Sequence, residues 1–291
     1  MTAGEMRAVV VRGRERSALA DEALPLLGAD DVLARVEAVG VRGSDVELLA
    51  GTRPSKHLRY PTVPGHEWVG RVVAVGERVT NVRSGSAFFS EGIRGCGECA
   101  RCLRGRSNLS LNGYAETGFA EPGALANSWI TARWARSRSS CVPDRPTSVS
   151  RSLRTHGALE SGPPEAALAP DNLGCKDSDL EASGSSDGAA PIRLARRGGT
   201  IGLAGIAETA LMSIAGDWIS TGSRKVQGVF GSVQRARRWL AGPWNAGELD
   251  FTALVTHRLP LSGTLEAFEL ATDPFRGALK VLVLPNSYEE R

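Results

Sequence analysis

A chain of 291 residues is long enough for one large domain or two. Its 42% apolar and 23% charged content excludes a disordered chain, which would be too polar to offset its ordering entropy. A net charge of +3, from 35 basic and 32 acidic side chains, is too balanced for a nucleic-acid footprint or an anionic-membrane partner.

No apolar run approaches the ~18 residues of a membrane-spanning helix. The N-terminal segment carries Glu5, Arg7, Arg12, Arg14, Glu15 and Arg16 but no apolar leader core, so a soluble, cytoplasmic protein is expected.

In chain order, the first third reads as β-rich. Residues 7–11 and 32–41 are β-branched runs separated by the turn signal Gly28-Ala-Asp-Asp31. Residues 70–76 form another strand bounded by glycines, and residues 87–90 a short one. Pro64-Gly65 places residues 63–67 on a loop. Strands without intervening helices predict a barrel or sandwich-like domain.

The middle changes character. Residues 128–157 are rich in arginine and serine, with Asp144 their one acid, and residues 160–191 are rich in Gly, Pro, Ser and Asp. Neither stretch keeps a helical or strand period. Order returns later. Residues 191–197 read as a helix end closed by Gly198-Gly199, and 200–205 as a buried strand and turn. Residues 232–241 and 261–271 suit helices, and 278–284 a last apolar strand. Helix alternating with strand in this half predicts an α/β layer.

Five cysteines are an odd count, and Cys96, Cys99 and Cys102 crowd together. That spacing lets thiolates converge on one metal ion and does not suit a disulfide scaffold. Cys141 and Cys175 stand alone. Trp68 suits either a pocket wall or the core, and Arg101, Arg104 and Arg106 suit a solvated face.

Several motifs together resemble the zinc-containing medium-chain alcohol, polyol and sugar dehydrogenases. In order they are Val36-Glu-Ala-Val-Gly-Val-Arg-Gly-Ser-Asp45, Val63-Pro-Gly-His-Glu-Trp-Val-Gly70 and Gly95-Cys-Gly-Glu-Cys-Ala-Arg-Cys102. Leu180-Glu-Ala-Ser-Gly184, Arg196-Arg-Gly-Gly-Thr-Ile-Gly-Leu-Ala-Gly205 and His257-Arg-Leu-Pro-Leu261 resemble later segments of that family.

The resemblance implies a mixed α/β protein. A GroES-like β-barrel catalytic domain would span 1–150, and a truncated Rossmann-like parallel-sheet domain 151–254. A segment at 255–291 would return to the catalytic domain. It also implies oxidation of a secondary alcohol, polyol or sugar/aminocyclitol, with hydride passing to NAD or NADP while zinc polarises the alcohol oxygen. A small-molecule alcohol or polyol would be the partner, and family members form homodimers through the Rossmann sheet.

Carried over by position, His66, Glu67 and Glu160 would serve the catalytic metal, and Ser44 would relay the proton. Cys96, Cys99 and Cys102 would hold a structural zinc. Gly202 and Gly205 would lie near the nicotinamide.

Three positions depart from the pattern. Arg42 occupies the place of a zinc-ligating cysteine, and a permanently protonated guanidinium offers no lone pair. Its fork can pair instead with Glu67 or Glu160. Ser110 stands where the fourth structural cysteine is due; water, Ser110 or Glu98 would complete the shell. No Gly-x-Gly-x-x-Gly turn lies between Asp144 and Glu181, and one βαβ unit takes ~30 residues, so the first nucleotide-binding half does not fit.

Two readings follow. In one, the chain is a zinc-binding dehydrogenase-like oxidoreductase with impaired activity. In the other, it is an inactive pseudoenzyme or interaction protein that keeps the fold.

Overall fold

Alternation of small apolar and polar residues builds the central strand. In β3 (Val32–Gly40) the side chains of Val32, Ala34, Val36 and Ala38 are fully buried, while Arg35 between them is exposed. The computed structural model describes residues 4–53, 58–88, 92–131, 176–181, 189–203, 214–230 and 254–287. The chain divides into two compact units, Met1–His156 with Val233–Arg291, and Gly157–Ser232.

In the first unit, β1 (Glu5–Gly13) pairs antiparallel with β2 (Arg16–Ala23). Isolated bridges tie β1 to Ala126 and Thr62. The polar sequence of β2 does not announce a strand; its register against the apolar β1 makes it one.

β4 (Glu67–Val75) pairs with one edge of β3 and, beyond it, with β5 (Ala87–Phe88). β8 (Ser128–Thr131) and β13 (Lys280–Leu284) also pair antiparallel with β3, opposite residues 32–35 and 39–40 respectively. β12 (Val255–Pro260) lies parallel to β13. The last strand of the chain thus belongs to the same sheet as the early ones.

A helix interrupts the strands that the sequence reading joined directly. Helix α1 (Gly43–Ala50) follows β3, starts on the Asp45 carboxylate, which accepts the Arg42 amide, and ends at Gly51 in the left-handed conformation (φ 66°). Helix α5 (Thr264–Thr272) buries Ala267, Phe268 and Leu270. It is preceded by a 3-10 turn over residues 261–263, where a continuous helix was predicted.

The core gathers Trp68, Phe88 and Trp129, with Trp68 4.5 Å from Trp129 and 5.6 Å from Phe88 between ring centroids. Trp68 is therefore a core residue. A further hairpin, β6 (Ile93–Gly95) with β7 (Tyr114–Glu116), brackets the cysteine lobe, which carries the short helix α2 (Ala100–Leu103).

The second unit is a parallel sheet in the order β11-β10-β9: β9 (Lys176–Glu181), β10 (Ala195–Leu203) and β11 (Lys225–Gly228). Helix α3 (Ala189–Leu194) precedes β10, and α4 (Gly216–Ser220) precedes β11, which is βαβ order. Ile192, Ala195 and Ile201 form its small core. The helix expected through residue 197 closes at Leu194, because Ala195 already pairs with Lys176 in the sheet. The helix predicted at 232–241 lies outside the described residues. The mixed α/β class is the one found. Among the described residues, no helix is long and apolar enough to cross a membrane.

Candidate functional site

The loop before β4 brings His66 against the first turn of α1. Asp45 is fully buried and takes three donors. Its Oδ2 accepts the Arg42 amide at 3.0 Å, and its Oδ1 accepts the Gly65 amide at 3.2 Å and lies 3.1 Å from His66 Nδ1. Burial pushes the Asp45 carboxyl up, but the nearby His66 and the two amides outweigh it and hold it below the usual carboxylate range.

A carboxylate at Nδ1 makes that nitrogen the N–H and leaves Nε2 as the acceptor. Nε2 faces Ser44 Oγ at 3.5 Å. Carboxylate, imidazole and hydroxyl therefore stand in the order that moves a proton from the hydroxyl inward. The structure brings Ser44 and His66 together.

Glu67 begins β4 and turns elsewhere. It is 2% exposed, and its Oε2 accepts Lys280 Nζ at 2.8 Å. Gly40 makes room for this pair: a Cβ there would stand 2.7 Å from Glu67 Oε1 and 2.8 Å from Lys280 Cε. Arg42 is the half-buried N-cap of α1.

Catalytic zinc needs three protein ligands and an open position. Among the described residues, no three ligand atoms converge around His66. The described residues of this pocket do not fit that metal. Glu160, the remaining expected ligand, lies outside the described residues, as do Gly205, Cys141 and Cys175. Gly202 lies within β10, paired to Gln227 on one side and Leu180 on the other.

Behind His66 runs a stack that the sequence reading did not single out. The His66 ring lies 5.1 Å from Phe119, and the Arg53 guanidinium lies 3.9 Å above the Phe119 ring. Arg53 Nη2 binds both oxygens of Glu116, at 2.7 and 2.8 Å. Arg53 and Glu116 are 63 residues apart, so no local spacing signals their pairing.

The cysteine lobe does fit a metal. One ligand atom from each of Cys96, Cys99 and Cys102 lies within 4.8 Å of the others. Amide donors surround the sulfurs: Cys99 N–H reaches Cys96 Sγ at 3.4 Å, Leu111 N–H reaches Cys99 Sγ at 3.4 Å, and Asn112 Nδ2 reaches Cys96 Sγ at 3.6 Å. The Cys102 and Leu111 amides lower the Cys99 thiol to about 6. The Ser110 hydroxyl, with the Glu98 and Cys99 amides, lowers Cys96, whereas burial raises Cys102. Three soft sulfurs, two of them held towards the thiolate form, are a donor set that suits zinc. Arg101, Arg104 and Arg106 lie exposed on this lobe.

Residues 28–136 match the alcohol dehydrogenase GroES-like domain family. The L-threonine 3-dehydrogenase of Streptomyces coelicolor is 37% identical over 134 residues, covering 43% of this chain and 39% of that protein. The sorbitol dehydrogenase of Bombyx mori is 34% identical over 122 residues, covering 42% of this chain and 35% of that protein. The chain thus spans well under half the length of these curated relatives. Among solved structures, a cobalt- and zinc-bound thermostable alcohol dehydrogenase from Pyrobaculum aerophilum matches with a TM-score of 0.79 at 20% identity, over 97% of this chain and 100% of that one. At that identity the likeness shows the fold.

Proposed function

We propose that the chain is an alcohol dehydrogenase-like oxidoreductase of the zinc-dependent medium-chain type that binds zinc at Cys96, Cys99 and Cys102 and whose turnover is strongly impaired; the match of residues 28–136 to the GroES-like domain and the likeness to L-threonine 3-dehydrogenase support this reading. The substrate class is a secondary alcohol, polyol or sugar/aminocyclitol, and NAD or NADP is the hydride acceptor. Residues 151–254 are the shortened nucleotide-binding part, and 255–291 return to the catalytic domain, a division that the β13–β3 pairing supports.

The observation that carries this reading is Arg42 at the N-cap of α1, one turn from an intact Asp45–His66–Ser44 chain. Ser44 can accept a substrate hydroxyl and hand its proton to His66 Nε2, and Asp45 stabilises the imidazolium that results. Among the described residues, no set of ligands would place a metal cation on the substrate oxygen. Without that charge the developing alkoxide is unsupported, which costs several kcal/mol.

The test is zinc per chain by elemental analysis, with NADH and NADPH titrations on the folded full-length chain. One zinc, saturable cofactor binding and slow alcohol oxidation are expected. Arg42→Cys should raise the zinc content towards two and the rate by about 100-fold. One zinc with no cofactor binding would replace this reading with that of an inactive protein keeping the fold. Two zincs in the unaltered chain would overturn the assignment of Arg42.

A further inference from the structure

The Asp45–His66–Ser44 chain is complete without a metal. Asp45 Oδ1 stands 3.1 Å from His66 Nδ1, and His66 Nε2 stands 3.5 Å from Ser44 Oγ. Asp45 is fully buried and accepts the Arg42 and Gly65 amides, so the carboxylate that orients the imidazole is itself held in place. A metal at Nε2 would take the lone pair that the serine proton needs, but the described residues do not assemble a ligand set around His66. Carboxylate, imidazole and hydroxyl in this order are the parts of serine acyl transfer. A hydroxyl contact of 3.5 Å is longer than the ~3 Å of a working pair, and such contacts tighten when substrate binds.

The backbone beside Ser44 supplies donors for an oxyanion. Helix α1 begins at Gly43, so the Gly43 and Ser44 amides have no acceptor inside the helix. No acceptor among the described residues takes them either. A Cβ at Gly43 would meet nothing within 4 Å, so a substrate can approach this backbone from the side of the hydroxyl's own residue. Ser44 is half-buried and Gly43 is exposed.

We propose that Ser44 is a nucleophile towards small carboxylic esters, with His66 as its base, giving the chain a metal-independent hydrolase activity. In the first half-reaction Ser44 Oγ bonds to the acyl carbon and its proton passes to His66 Nε2. The Gly43 and Ser44 amides donate to the carbonyl oxygen as it becomes negative. The ester C–O bond then breaks, and the leaving alcohol takes the proton from Nε2. In the second half-reaction water attacks the acyl carbon and gives its proton to the same nitrogen. The bond to Oγ breaks, Oγ regains the proton and a carboxylic acid leaves. No oxidation state changes.

A fluorophosphonate probe and para-nitrophenyl acetate test this on the full chain. After digestion, mass spectrometry should find the probe on the peptide holding Ser44, and the ester should be turned over repeatedly. Ser44→Ala should lose both the adduct and the turnover. His66→Asn keeps an N–H near the place of Nδ1 for Asp45 but offers no base, and should slow Ser44 labelling by about 100-fold. The unaltered chain should take no label once heat-denatured, a control that does not depend on how the variants fold.

An adduct on other residues only, or equal labelling of Ser44 in the native chain and in either His66→Asn or the denatured chain, overturns the inference. So does Ser44 labelling with no ester turnover. Ester turnover that survives in Ser44→Ala also overturns it, by placing the acyl group on another nucleophile such as a cysteine. The inference rests on reading the His66 pocket as unfit for zinc. Two zincs per chain would fail that reading, whereas an unlabelled Ser44 in a one-zinc chain fails this inference alone.

Discussion

Lys280 Nζ lies 2.8 Å from Glu67 Oε2, although 213 residues separate the two in sequence. Both side chains are largely buried, at 13% and 2% exposed, and the pair ties the last strand of the sheet to the residue after His66. Lys280→Met removes the cation from a buried carboxylate and should destabilise the fold by about 3 kcal/mol in denaturant titrations. Lys280→Met with Glu67→Gln should recover a large part of that loss, because the buried charge goes too. Equal losses in the single and double variants would show that the two residues do not act as a pair.

Gly40 gives an independent handle on the same contact. An alanine methyl there meets Glu67 Oε1 and the end of the Lys280 side chain within 3 Å. The lysine end can swing aside, so Gly40→Ala should cost about 1–2 kcal/mol. In a Lys280→Met background the clash with the ammonium is gone and the cost should shrink. Additive losses would place the strain elsewhere.

The contrast between local and distant signals explains what the sequence disclosed. β3 and β4 were legible from their apolar patterns, and the cysteine lobe from three cysteines within seven residues, with Ser110 eight residues further on. β2 was not, because Arg16 to Ala23 carries little strand propensity and is a strand through its pairing with β1. Helix α1 was missed because its eight residues are too short a stretch to show a helical period. The capping carboxylate and the buried Leu48 make it helical. Ser44 and His66 could be singled out by motif, whereas the Asp45 bridge between α1 and His66, the Glu67–Lys280 pair and the Arg53–Glu116 pair join distant segments and leave no periodic trace.

Asp45→Asn tests the relay and has a defined pH signature. A carboxyl held below its usual 3.8 in the folded state adds stability that is fully present above that value and is lost as pH falls through the lower folded value. The variant should therefore lose about 2 kcal/mol near neutrality and show a shallower decline of stability in acid below about pH 4. Nitrogen-15 NMR of His66 should show the Nδ1–H tautomer giving way to a mixture. An unchanged tautomer would mean that Asp45 only caps α1.

Arg53→Lys separates charge from shape in the stack behind His66. Lysine keeps the cation but loses the planar group lying 3.9 Å over Phe119 and its short bonds to both Glu116 oxygens. A loss of about 1–2 kcal/mol is expected. Because Phe119 packs on the His66 ring, the His66 ring-proton shifts should move as well. Wild-type stability in the lysine variant would reduce the contact to simple charge pairing.

Trp68 and Trp129 offer a matched comparison inside one core. They are 2% and 3% exposed and pack on each other, yet their indole N–H groups differ. Trp129 Nε1 donates to the Pro122 carbonyl at 3.2 Å, whereas Trp68 Nε1 is buried without a hydrogen-bond partner among the described residues. Replacing either with phenylalanine removes similar apolar area. In Trp129→Phe the Pro122 carbonyl also loses its donor, whereas Trp68→Phe deletes a donor that was already unsatisfied. The expected costs are about 2 kcal/mol for Trp129→Phe and about 1 kcal/mol for Trp68→Phe. The ordering of the two unfolding midpoints decides the point. If Trp68→Phe proves the more damaging, the indole N–H of Trp68 is satisfied in solution and the difference between the two rings lies in packing alone.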